Sequence, residues 1–116
     1  MFPLLHFRHL VGHSNSLTHL PAGIGDWRLL ESLELEGNLL GELPNDFSCL
    51  SALTRLNLRC NRLKHLPLDF GHLHSLKVLE LGQNLLAALP QSIESLSRLE
   101  IMHLDDNNLA ALGDMW

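Results

Sequence analysis

The chain has 116 residues, one domain's worth, with 46% apolar residues and a formal net charge of -5 from eight Lys and Arg against thirteen Asp and Glu. The apolar share excludes a disordered chain, and the acidic balance excludes nonspecific binding to nucleic acid or an anionic membrane surface, both of which need a basic face. No stretch approaches the roughly 18 consecutive apolar residues that a membrane-spanning helix needs.

The first residues, 1–6, form an apolar lead-in containing Phe2, Leu4 and Leu5. No basic residue precedes its short apolar run and Arg8 interrupts that run, so it does not read as a secretory signal. There is no Asn-x-Ser/Thr acceptor, and Cys49 and Cys60 are too few for a disulfide framework. Both thiols are expected to be reduced, and the chain is placed in the cytosol.

From Phe7 onward the sequence repeats itself. The first row, 7–29, reads FRHLVGHSNSLTHLPAGIGDWRL; Gly12 stands where later rows have a leucine, and Trp27 stands in another leucine column. Row two, 30–52, is LESLELEGNLLGELPNDFSCLSA, and row three, 53–75, is LTRLNLRCNRLKHLPLDFGHLHS. Row four, 76–98, is LKVLELGQNLLAALPQSIESLSR, and row five, 99–116, is LEIMHLDDNNLAALGDMW, which stops within the pattern. The shared form is LxxLxLxxNxLxxLPxxφxxLxx, with φ being Ile24, Phe47, Phe70, Ile93 and, in the last row, Trp116.

Each column has a physical reading. Leucines two apart point to one side of a short strand, and the residues between them point to the other. One row cannot bury its leucines alone, so the rows must stack in parallel, with strands roughly 4.8 Å apart, and close a continuous core. The asparagine column, Asn15, Asn38, Asn61, Asn84 and Asn107, falls where the chain turns out of the strand. A carboxamide both donates and accepts there, so an asparagine ladder is expected. The Leu-Pro step at Pro21, Pro44, Pro67 and Pro90 fixes an extended backbone for a return segment outside the sheet.

These recurring columns resemble the leucine-rich repeat family, in particular its cytosolic 23-residue type with LPxxφxxL, seen in Ras-associated scaffold proteins and Scribble-type polarity proteins. The resemblance implies an α/β solenoid of about five repeats, with a parallel concave sheet, an irregular or short-helical convex side, and a function in binding proteins.

With the leucines inward, the third, fifth and seventh positions of each row line the concave face. After His9, Val11 and His13 in row one, these are Ser32, Glu34 and Glu36; Arg55, Asn57 and Arg59; Val78, Glu80 and Gly82; and Ile101, His103 and Asp105. Excepting the first row and Gly82, they are the candidate partner-binding residues. Arg55 and Arg59 suit carboxylates on a partner; Glu34, Glu36 and Glu80 suit its bases. The plain alternative is that these charges satisfy one another across neighbouring strands, each exposed pair being worth less than ~1 kcal/mol.

No other chemistry is signalled. His72 and His74 are two apart, while His19 and His65 share a column but lie two rows apart, roughly 10 Å along the stack and too far for one ion. No nucleophile motif, phosphate loop or isolated carboxylate pair occurs, so neither catalysis nor a cofactor or metal is expected. Leu39 and Leu85, with Gly41, Ala87 and Ala88, read as scattered apolar surface along the sheet edge rather than a second contact site.

The ends carry no obvious polar cap, so either the array belongs to something longer or Phe2, Leu4 and Leu5 cover the first row while Met115 and Trp116 plug the last. The leading function is an intracellular protein-binding adaptor or scaffold, with small-GTPase signalling suggested by the resemblance. The alternatives are a substrate-recognition piece of a larger enzyme, such as a kinase or ubiquitin ligase, and a truncated product without function.

Overall fold

A computed structural model describes residues 7–109; the possible end covers at Phe2, Leu4, Leu5, Met115 and Trp116 lie outside the described residues. The expected solenoid is observed. Each row gives one short strand: β1 His9–Val11, β2 Ser32–Glu34, β3 Arg55–Asn57, β4 Val78–Glu80 and β5 Ile101–His103. They form one parallel sheet in chain order. The register runs Leu10 to Leu33 to Leu56 to Leu79 to Met102, so every row pairs with the next without slip.

The return segments contain 3₁₀ turns at Ile24–Asp26, Asn45–Cys49, Phe70–His72 and Gln91–Ser95. Two of these turns follow Pro44 and Pro90 directly, each held extended near φ -65°. A short turn suits the segment because side chains at i and i+3 eclipse, which places Phe47 and Leu50, or Ile93 and Leu96, together toward the core.

The core lies between the sheet and these turns. Leu33, Leu56 and Leu79 project from the strands, Leu40, Leu63 and Leu86 from the bend beyond, and Ile24, Phe47, Phe70 and Ile93 from the turns. The Phe47 and Phe70 rings stack nearly parallel with centroids 6.3 Å apart.

Two side-chain ladders tie row to row. In the first, the Asn61 amide nitrogen donates to the Leu58 carbonyl of its own row at 3.0 Å and to Leu35 of the row before at 3.1 Å, while its oxygen accepts from the Leu40 N–H. Asn38, Asn84 and Asn107 repeat that arrangement. Asn15 is exposed, with no described row before it to supply the second carbonyl.

The second ladder runs along the convex side. The Gly25 N–H donates to Asp46, the Ser48 hydroxyl to Asp69, and the Gly71 N–H to the Ser92 hydroxyl oxygen. Gly71 is required there, since a Cβ would fall 1.7 Å from the Ser92 carbonyl oxygen. Among the described residues no buried side-chain nitrogen or oxygen lacks a partner, which is what closure of such buried turns demands.

A further regularity sits just past each strand. Ser14, Cys60, Gln83 and Asp106 all hold a left-handed backbone, φ 52–57°, and the equivalent Gly37 has φ 77°. The N–H groups of Ser14, Gly37, Cys60 and Gln83 still pair with the next row, as Cys60 does with Gly82. Each row therefore makes its exit bend through a conformation that costs a non-glycine residue energy, and in rows two to five the ladder asparagine next to it holds the bend closed.

Candidate functional site

The strand backbones set the concave face. Because buried Leu33, Leu56 and Leu79 occupy the middle of their strands, the flanking residues must point outward. Ser32, Arg55, Val78 and Ile101 form one column, and Glu34, Asn57, Glu80 and His103 the next. Glu36, Arg59, Gly82 and Asp105 follow just beyond the strand ends, where Gly37, Cys60 and Gln83 continue the cross-row pairing. Ile101 is 44% exposed, while most of the second column is half-buried.

One charge on this face passes over its nearest neighbour. Glu36 and Arg59 are one row apart in the same column, yet Glu36 accepts from the Asn57 amide at 3.1 Å and Arg59 turns the other way. The Arg59 guanidinium reaches over row four to Asp105, with nitrogen–oxygen distances of 3.2 and 3.1 Å. Gly82 makes this possible. A Cβ on Gly82 would stand 2.3 Å from the Arg59 guanidinium and 2.6 Å from the Asp105 carboxylate, so the absent side chain is the channel through which the clasp passes.

The hydrogen-bonded Arg59 guanidinium holds the Asp105 carboxyl below its ordinary value, and Asp105 in turn raises Arg59. Two further carboxylates face histidines: Glu80 meets the His103 ring, and Glu34 lies 3.7 Å from the His13 ring.

Arg55 is different. It is exposed and, among the described residues, its side chain makes neither an ion pair nor a hydrogen bond. It lines a hollow of about 210 Å³ together with Glu34, Leu56, Asn57, Val78 and Glu80.

Some of this was missed from sequence. Arg59 was read either as a docking cation for a partner carboxylate or as paired across adjacent strands; the internal pair found spans two rows, and the readable signal was a glycine standing between a cation and an anion in one column. The convex ladder has a fainter signal, a small residue at Gly25, Ser48 and Gly71 matched one row later by Asp46, Asp69 and Ser92.

Elsewhere the surface offers less chemistry. His72 and His74 stack at 6.3 Å, and among the described residues no group of three or more His, Cys, Asp or Glu gathers at metal-binding distance. Leu85 is 52% exposed and Leu39 half-buried, and Leu68, on the return segment, is 88% exposed beside His65, Ala88 and Pro90. Among the described residues no helix is long and apolar enough to cross a membrane.

Known proteins share this architecture. The pattern described as leucine rich repeat matches residues 8–63 and, overlapping them, 51–109. A leucine-rich repeat protein of Leptospira interrogans superimposes with a TM-score of 0.88 at 35% identity, covering 93% of this chain and 28% of its own. An internalin of Listeria monocytogenes superimposes with a TM-score of 0.80 at 22% identity, over 96% of this chain and 32% of its own, a likeness of fold. A chain of the Toll–Spatzle complex of Drosophila gives 0.76 at 29% identity, over 90% and 14%. This chain therefore spans about a third or less of the length of these structures. No protein of curated function matches it significantly. With the repeat pattern matched across nearly all of the described residues and the same stacked sheet in its structural neighbours, the chain belongs to the leucine-rich repeat family, whose members commonly act by binding other proteins.

Proposed function

We propose that this chain is a non-catalytic, intracellular adaptor or scaffold module that docks a protein partner on its concave face. The observation that carries the reading is the face itself: three columns of outward side chains on a continuous parallel sheet, mixing acids, arginines, the Asn57 amide and exposed Ile101. Such a surface offers many weak, orientable contacts, which suits a protein partner more than a small substrate. The footprint is taken as Ser32, Glu34, Glu36, Arg55, Asn57, Arg59, Val78, Glu80, Ile101, His103 and Asp105.

The free thiols of Cys49 and Cys60 support a reducing, cytoplasmic setting. A role in small-GTPase signalling rests on the likeness of the LPxxφxxL rows to Ras-associated scaffolds, an analogy of fold.

The test is differential capture. Cross-linked partners are collected with the parent chain, with the concave double variant Glu34→Lys/Glu36→Lys and with the convex variant Leu68→Asp. The concave variant is expected to lose a protein that both others retain, by over ~1 kcal/mol in affinity once the partner is purified. Equal capture by all three, or loss only with Leu68→Asp, moves the site off the concave face.

A further inference from the structure

We infer that Arg55 is the anchor of the concave face and that it receives an acidic side chain from a partner segment carrying an apolar residue two positions further on. This inference rests on the concave-face reading above and says what kind of partner that face takes.

Most of the concave charges already have a neighbour. Arg59 is held by Asp105 across Gly82, Glu36 accepts from Asn57, Glu80 meets His103, and Glu34 faces His13. Of the two concave arginines, Arg59 is paired, whereas Arg55 makes neither an ion pair nor a side-chain hydrogen bond among the described residues and opens onto the hollow. A guanidinium presents a planar fork of donors that fits a carboxylate in two parallel hydrogen bonds, so the vacant group is shaped for an acid.

The surroundings choose among acids. Glu34 and Glu80 line the same hollow as Arg55. A phosphate dianion placed on Arg55 meets two carboxylates at close range, whereas a singly charged Asp or Glu meets half that repulsion and keeps the full geometric match. The clasp narrows the choice further. By lying across Gly82 it covers the third column at row four, which leaves the first two columns open to a partner.

The first column then sets the neighbour. Past Arg55 it continues as Val78 and exposed Ile101, on adjacent strands. Strands lie roughly 4.8 Å apart, and alternate residues of an extended segment are roughly 7 Å apart, so a segment crossing the sheet with its acid on Arg55 sets its second-next side chain between Val78 and Ile101. An apolar side chain there covers Ile101.

The probe is a library of random peptides displayed on phage, panned against the folded full chain. Enriched peptides are expected to carry Asp or Glu with an apolar residue two positions on. Arg55→Glu, checked for unchanged circular dichroism, should weaken them roughly tenfold or more, and replacing the peptide acid with Lys should restore binding to that variant. Peptides that lose affinity to Ile101→Glu or Asn57→Lys but not to Arg55→Glu overturn the anchor and leave the concave reading intact. Peptides indifferent to all three overturn both. Failure to enrich any peptide above empty beads overturns the anchor, while the concave reading still answers to the capture experiment.

Discussion

Rows one and three are written in nearly the same pattern and sit in different surroundings. In row three, Leu53, Leu56, Leu58 and Leu63 are buried and Asn61 is held by both neighbouring carbonyls. In row one, Leu10 and Leu20 are half-buried, Leu17 is 39% exposed in the column that holds fully buried Leu63, and Asn15 is exposed. A residue's burial here is therefore a property of the rows on either side of it more than of its own row, as expected of a solenoid whose stability is a sum over neighbouring interfaces.

Truncating matched leucines tests this difference directly. Leu63→Ala should cost about 2–5 kcal/mol, the range for fully buried leucines, while Leu17→Ala in the same column should cost under about 1 kcal/mol. Urea midpoints of the two variants decide it, and equal losses would mean that row one is as enclosed as row three.

The ladder sharpens the same contrast at smaller scale. Asn61→Ala strands the buried Leu40 N–H and withdraws a donor from two carbonyls, at a cost of about 1–3 kcal/mol, whereas Asn15→Ala should stay within about 0.5 kcal/mol. Hydrogen exchange at the Leu40 amide should quicken in the first variant and be unchanged in the second.

The smallest effect is electrostatic, and it separates the clasp from the core. Asp105 has its folded-state value lowered, so its contribution is present above the unfolded value and is lost as pH falls through the lower folded one. Asp105→Asn should therefore lower the urea midpoint slightly at about pH 7, and that deficit should shrink as pH falls below the ordinary carboxylate range and the parent's carboxyl takes up its proton. The pair is exposed, so raised salt should shrink the deficit too. A deficit independent of pH would mean that Asp105 acts through packing.

The fold was legible because its signal is redundant: Leu33, Leu56 and Leu79 say the same thing three times, with alternation that only a strand explains. The concave columns followed from the same alternation. What escaped reading depends on relations between rows. The Arg59–Asp105 clasp needs the knowledge that a side chain is missing between them. The left-handed bend hides because Ser14, Cys60, Gln83 and Asp106 share no chemistry, and only Gly37 advertises it. The exposure of Asn15 reflects the surroundings of row one, which its own letters do not encode.

The unslipped register has a consequence in heredity. Every strand pairing repeats at a separation of 23 residues, as does the bond from the Thr54 hydroxyl to the Glu31 carbonyl. A gene segment encoding that length, duplicated or deleted in frame, meets its new neighbours with every column aligned. A segment that is not a whole number of rows, joined within a strand or its exit bend, turns leucines outward and leaves the asparagines facing the wrong carbonyls. The molecule thus accepts length changes in whole rows, and the binding face lengthens or shortens by one strand at a time while the core chemistry stays the same.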